Sequence, residues 1–284
     1  MRINHNINSM ITQNALGSTG KSLGKSLEKL STGLRINRSS DDAAGLSVSE
    51  ELRSQVRGLG RARSNAQDGI ALLQIAEGAA NETSDILQRM RELAVQSAND
   101  TLTSTDRSYL DQEFTALTDE IDRIADSTQY NGQELVTGGS SSFGGTGSAT
   151  SILHIGANDV AGTDSLTLQI DGITAGAIGI TGGATNVGVS TQASSLAAIG
   201  TIDTAITSVN NMRSDVGAYV NRLEHAINNL SNQEFNTQDA ESRIRDVDFA
   251  TESTQFTKAQ ILSQSATSML SQANAVPQGA LGLI

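Results

Sequence analysis

From Ala259 to Ile284 the chain reads AQILSQSATSMLSQANAVPQGALGLI, without one charged side chain. Within it Ala259, Leu262, Ala266, Met269, Ala273 and Val276 follow one another at alternating steps of three and four. That alternation marks the seam of a helix that lies along another helix. Gln, Ser, Asn and Thr occupy the other faces, so the stretch is too polar to span lipid. A solvated surface helix carries Lys and Glu, and this one has neither. The reading that follows is burial against protein on several sides; the bland alternative is a frayed tail.

The opposite end supplies a second seam. A helix is expected from about Asn4 to Leu34, with Leu16, Leu23 and Leu30 seven apart and Leu27 and Leu34 completing the steps from Leu23. Gly17 and Gly20 each cost about 1 kcal/mol against Ala in a helix, so this one needs a partner. Its Arg2, Lys21, Lys25, Lys29, Arg35 and Arg38 face only Glu28 as an acid through Ser40. The two ends thus differ in charge while sharing a heptad-like pattern.

Between them, Ser39 to Asp42 is N-cap material for the longest periodic run. Leu52, Val56, Leu59, Ala66, Ile70, Leu73, Ala80, Leu87 and Ala94 keep the spacing, with Arg63, Glu77, Ser84 and Arg91 at intervening seam positions. Unbroken from Val48 to Ala98, that is a helix of about 75 Å. Thr103 to Asp106 caps another, stepping through Leu110, Phe114, Leu117, Ile121 and Ile124 until the Asn131-Gly132 turn. From Gly138 the composition shifts to Gly and Ser. Alternation at Leu166, Leu168 and Ile170 predicts a strand, with Ile152–Ile155 and Ile178–Ile180 as weaker ones. Helical order resumes through Ile206, Val209, Arg213, Val216, Val220, Leu223, Ile227 and Leu230. Beyond Leu230 the seam turns polar, which predicts a joint. The expected fold is mainly α: an elongated rod of long antiparallel helices with a terminal coiled coil and a small β-rich insert.

Composition narrows the function. The net charge is −12, against nucleic-acid binding. Aromatic residues make up 3% and Trp is absent, which suits slim helix–helix seams. There is no Cys, hence no disulfide or thiolate metal site. No stretch reads as a cleaved secretory signal or a membrane span. ALGSTGKS (15–22) approximates a phosphate-binding loop, but no strand precedes it, so Lys21 reads as a solvated helix face. His5, His154 and His225 are isolated, and Asp119, Glu120 and Asp122 read as a solvated acidic face. No catalytic constellation, cofactor site or metal site is expected, so the chain is read as no enzyme.

LSTGLRINRSSDDAAGLSVSEEL (30–52), NAQDGIALLQIAEGA, LQRMRELAVQSAND and the closing SQANAVPQGALGLI together resemble bacterial flagellin. The resemblance implies a subunit that polymerises into the flagellar filament for motility. It implies a terminal coiled coil, D0, from 1–44 and 236–284. It implies a helical D1 from 45–137 and 191–235, and a short variable insert over 138–190. The family is exported unfolded without a cleaved signal, so the implied location is the extracellular filament. Implied partners are further copies of the chain, cap and hook-junction proteins, an export chaperone at the C-terminal segment, and the innate receptor TLR5. Implied assembly-seam residues are Leu23, Leu27, Leu30, Leu34, Leu262, Ala266, Met269 and Ala273. By the match to LQRxRELAVQ (87–96), Arg89 and Leu93, with Glu113, are the implied receptor or subunit contacts. A plainer role stands beside each: Leu93 packs inside D1, and Arg89 pairs with Glu113 on its surface. A hook–filament junction protein is the alternative family reading, disfavoured by the intact RELAVQSAN phrase.

Overall fold

A computed structural model describes residues 6–138, 151–160, 162–181 and 187–281, with side chains through 275. It is mainly helical. Among the described residues the helices are α1 (Ile7–Thr32), α2 (Ala43–Ser97), α3 (Ser104–Ser127), α4 (Gln192–Arg245) and α5 (Phe249–Leu281). Between α3 and α4, β1 (Gln129–Tyr130) pairs antiparallel with β2 (Gln133–Glu134), and β3 (Ser151–His154) with β4 (Ser165–Leu168). The chain forms two compact units. A middle unit comprises Val56–Glu234, and a terminal unit combines Met1–Gln55 with Phe235–Ile284. The expected helix start near Asn4 lies outside the described residues.

In the middle unit α2 buries Leu59, Ala62, Ala66, Gly69, Leu73, Ala76, Ala80, Thr83, Leu87, Met90, Ala94 and Ser97 in steps of three and four, with Leu72, Ala79, Ser84 and Leu93 buried beside that stripe. Every seventh residue (59, 66, 73, 80, 87, 94) is as the sequence predicts. Of the intervening positions Ser84 is buried as expected, while Ala62, Gly69, Ala76 and Met90 replace the expected Arg63, Ile70, Glu77 and Arg91. An anchor every seven residues is compatible with a companion three or four places on. Here the side with Ala, Gly and Thr turns inward, and the charged side stays at the rim, where Arg63 pairs with Glu234 at 3.0 Å. α4 repeats this choice. It buries Ala205, Val209, Met212, Val216 and Leu223, while Ile206, Val220 and Ile227 stay partly buried against the same core. On α3, Phe114, Thr118, Ile121 and Ala125 are innermost, with Leu110, Leu117 and Ile124 on the shoulder.

The capping box expected at α3 is present: Asp106 N–H donates to the Thr103 hydroxyl and Thr103 N–H to the Asp106 carboxylate. Asn131 (φ 52) and Gly132 (φ 78) make the tight β1–β2 turn, as the Asn-Gly pair predicts. The β3–β4 hairpin confirms strands at 152 and 166–168 and rests on α2. The Asn65 side chain donates to His154 O at 3.0 Å, and a β-carbon at Gly69 would strike Leu153. Ile178–Ile180 is no strand. It is a turn that still buries both isoleucines, closed by Ile180 N–H donating to Ala175 O. Two carboxylates of α3 hold this return segment by its backbone: Asp122 accepts from Ala175 N–H and Asp111 from Val189 N–H, both at 2.7 Å. Asp122, expected to be merely solvated, is therefore structural.

The terminal unit pairs α1 with α5 antiparallel and also holds the first residues of α2 and the last of α4. α1 is capped by Asn6, whose side chain accepts from Ser9 N–H, and ends at Gly33 (φ 73), the left-handed conformation that stops a helix. Leu34 therefore lies off the helix and off the seam. Its backbone instead bridges to Asp246. Around that bridge Arg35 N–H donates to Arg245 O, Val247 N–H to Gly33 O, and the Arg35 guanidinium to Ile244 O. The polar joint foreseen just past Leu230 is displaced accordingly: α4 runs on to Arg245, and the break falls at Asp246–Asp248.

Candidate assembly surfaces

Contact between α1 and α5 starts from small and polar side chains. α1 presents Ser9, Thr12, Leu16, Thr19, Leu23, Ser26 and Leu30 as its covered stripe. α5 presents Glu252, Phe256, Ala259, Ser263, Ala266, Leu270 and Ala273. Ser, Thr and Ala let the two backbones approach closely along the seam. Direction and register are fixed by polar links: Asn6 donates to Ala273 O at 2.8 Å, Ser9 meets the Asn274 side chain, and Lys29 reaches Glu252 at 3.7 Å. Lys29–Glu252 is the more buried of these, with Glu252 side chain 9% exposed. A polar group inside an otherwise small-residue seam selects one register among several.

Of the seam residues expected from sequence, Leu23, Leu30, Ala266 and Ala273 are on this contact, and Ala259 is buried in it. Leu27, Leu262 and Met269 are not: they are 58%, 47% and 60% exposed. Ser26, Ser263 and Leu270 take their places. Val276, the last expected position, lies outside the described side chains. The outward residues are not scattered. Ile261 and Leu262 with Thr254, Thr257 and Lys258 line one shallow groove on α5, and Met269 follows Leu262 by a heptad. On α1, Ile7, Met10 and Ile11 are exposed together on the side away from the covered stripe. Each terminal helix thus has one side of mixed small, polar and apolar residues covered within the chain, and large apolar residues bare on another.

The second surface is on the middle unit. Arg89 of α2 is held between two carboxylates, with Nε and Nη2 donating to Glu113 of α3 at 3.0 and 2.9 Å and Nη1 to Glu92 at 3.1 Å. Those hydrogen bonds, Glu113 first, push the guanidinium above its ordinary value. On the other flank Arg91 donates to Asp203 of α4 at 2.7 Å. Between these ties, Gln88, Arg91, Glu92, Val95 and Gln96 line a groove in which Val95 is half exposed. Leu93 is not part of this surface. It is 0% exposed in the core, so it offers a partner nothing to touch. Arg89 and Glu113 pair on the surface and Leu93 packs in the core, which is the plainer role given to each above. Val95 was missed; it is the apolar residue of the phrase that actually faces out.

Lys21 sits on continuous helix, with no strand-to-loop geometry to cradle a phosphate. Among the described residues no three His, Asp or Glu side chains gather where a metal could bind, and no helix is long and apolar enough to cross a membrane.

A helix pair with bare apolar stripes and a well-packed helical unit in the same chain define a mainly helical structural protein. The bacterial flagellin N-terminal helical region matches residues 3–141, and the C-terminal helical region matches residues 199–284. Flagellin FlaB2 of Treponema pallidum (strain Nichols) is 47% identical and flagellin of Bacillus subtilis (strain 168) 44% identical, each over the full length of both chains. The chain belongs to the bacterial flagellins. It is a structural component of the flagellar filament, serving motility by self-polymerisation, and not an enzyme. A chain described as a flagellar hook-associated protein, from Vibrio parahaemolyticus, superposes with a TM-score of 0.60. That match covers 72% of this chain and 100% of the other at 19% identity, a likeness of fold alone.

Proposed function

We propose that the terminal unit is the inner D0 part of the filament and completes its fold only there, after export of the unfolded chain. The middle unit, with the 138–190 insert, is then D1. The bareness of Leu27, Leu262 and Met269 carries this reading, because the packing of α1 on α5 leaves these large apolar side chains exposed. In a helical polymer the neighbouring copies supply that cover, and ordering is coupled to assembly. The same stripes suit transient partners on the way: an export chaperone that holds the C-terminal segment, and the hook-junction and cap proteins that bracket the growing filament. The proposed location is the extracellular filament. Labelling intact cells with a membrane-impermeant reagent tests it, since a filament kept beneath an outer membrane stays unlabelled.

The test of the assembly reading is seeded polymerisation followed by sedimentation and electron microscopy. Wild-type monomer extends the seeds, and a Leu262→Asp/Met269→Asp variant does not. Normal extension by that variant contradicts the assignment.

The Arg89–Glu113 surface supports a second reading, recognition of the unassembled subunit by TLR5 through Arg89 and Glu113. Both groups are about half exposed and held in place by their mutual hydrogen bonds. The expected result is weaker receptor signalling from Arg89→Ala and Glu113→Ala monomers, and stronger signalling from monomer than from filament. Equal signalling per subunit from both forms contradicts it.

A further inference from the structure

Four of the five methionines fall in the described structure, and they divide cleanly. Met90 and Met212, in the middle unit, are 0% and 2% exposed. Met10 and Met269, in the terminal unit, are each 60% exposed. Both stand in the bare apolar stripes: Met10 between Ile7 and Ile11 on α1, and Met269 one heptad beyond Leu262 on α5. Oxidation of a thioether follows its exposure. The residues open to oxidation are therefore the ones proposed to meet neighbouring copies, and the residues that hold the middle unit together are shielded.

We propose that Met10 and Met269 form a peroxide-sensitive modification site that sets whether the subunit can enter the filament. The proposal rests on reading those stripes as contacts between copies. The thioether sulfur attacks one oxygen of hydrogen peroxide. The S–O bond forms as the O–O bond breaks, and the departing hydroxide takes the proton from the hydroxyl now on sulfur, leaving water and the sulfoxide. Sulfur is oxidised by two electrons and peroxide is reduced by two. The sulfoxide is a polar, chiral acceptor where a flexible apolar chain stood. At Met269 it enters a stretch without a cation from Ala259 onward, so burying it against another copy leaves a polar group poorly matched. The modification acts before assembly and not after, because the contact that it blocks is also what shields the sulfur. Sulfoxide reductases reverse it.

The experiment treats full-length monomer with hydrogen peroxide, locates sulfoxides by peptide mass spectrometry and then measures seeded elongation by sedimentation. Expected are sulfoxides at Met10 and Met269 ahead of Met90 and Met212, an unchanged melting transition of the middle unit, and a fall in elongation of about tenfold or more. Reductase treatment should restore elongation, and a Met10→Leu/Met269→Leu variant should elongate equally with and without peroxide. Normal elongation of oxidised wild type overturns the proposal. So does a Leu variant that loses elongation on oxidation as wild type does. Should the Leu variant fail to elongate untreated, the reductase arm decides: verified reduction without recovery overturns it. An untreated Met10→Gln/Met269→Gln variant separates the two levels. Its normal elongation removes the contact reading itself, whereas its failure beside normal elongation of oxidised wild type removes only the modification.

Discussion

The middle and terminal units use the same stripe geometry and finish it differently. On α2, α3 and α4 an anchor recurs every seven residues with a small companion turned inward, and the larger residue on the other side of the anchor becomes a shoulder. Ile70, Leu110, Leu117, Ile124, Ile206, Val220 and Ile227 are such shoulders, and all are partly covered by the core that three helices and the described residues between α3 and α4 enclose. On α1 and α5 the shoulders are Leu27, Leu262 and Met269, and the α1–α5 pair leaves all three exposed. The difference lies in what covers the shoulders and not in the pattern of the sequence. The middle unit covers its shoulders, although Ile75, Val95, Tyr109 and Leu196 stay exposed on its surface, while the α1–α5 pair leaves its shoulders bare.

The largest expected effect breaks that comparison at the seam. Ala266→Asp puts a carboxylate beside the α1 stripe in a region lacking cations, and an unpaired charge in a dry contact costs several kcal/mol. Seeded filaments should fail to grow from this variant while the melting of the middle unit stays unchanged. A variant that pellets normally at neutral pH would show that the α5 stripe is never buried.

Leu93→Ala acts on the other unit. Its side chain is fully enclosed, so the cavity should cost about 2–5 kcal/mol and lower the melting transition of the monomer. Any loss of receptor signalling should follow the loss of fold. Unchanged melting with weakened signalling would return Leu93 to the surface.

Arg107→Ala should cost less. The guanidinium donates to Ser97 O at 3.0 Å and Asn99 O at 2.9 Å, closing the C-terminus of α2. Loss of these charge-assisted bonds is expected to destabilise the middle unit by about 1–3 kcal/mol, with hydrogen exchange rising at the α2–α3 turn before the rest of α2. Uniform exchange along α2 would assign the effect elsewhere.

Acid sharpens the comparison further. Hydrogen bonds from the Thr103 side chain and backbone hold Asp106 below its ordinary value, and those from Thr251 and Ala250 do the same for Asp248. A depressed folded pKa gives stability that is present above the unfolded value and lost as pH falls through the folded one. Both helix starts should weaken below the usual carboxylate range. Filaments should shed subunits at a higher pH than that at which monomers lose α3, because the terminal unit has less burial in reserve. The reverse order, read by sedimentation and circular dichroism, would count against that. Arg89→Ala is the smallest effect: its ion pairs are solvent-exposed, and the melting transition should barely move.

The sequence made the anchors legible and left the companions ambiguous. Leu16, Leu23 and Leu30, or Ala259, Ala266 and Ala273, accept a partner three or four residues on, and large apolar side chains drew the choice to Leu27, Leu262 and Met269. The close approach of α1 and α5 instead favours Ser26 and Ser263, whose size and not their hydrophobicity suits the contact. On α2 the charges at Arg63, Glu77 and Arg91 were the available signal for the correct side. Ile178 and Ile180 misled for another reason: a buried turn and a short strand have the same composition, and only the tertiary hold of Asp122 on Ala175 distinguishes them. Asn-Gly at 131–132 and Thr-x-x-Asp at 103–106 were read correctly because local hydrogen bonding decides them.

Hydrogen exchange measured by mass spectrometry on monomer and on seeded filament tests the central claim most directly. The account predicts that α1 and α5 amides exchange rapidly in the monomer and become protected in the filament, while the core of α2, α3 and α4 is protected in both. Equal protection of α1 and α5 in the two states would contradict it, because the helix pair would then be complete without its neighbours.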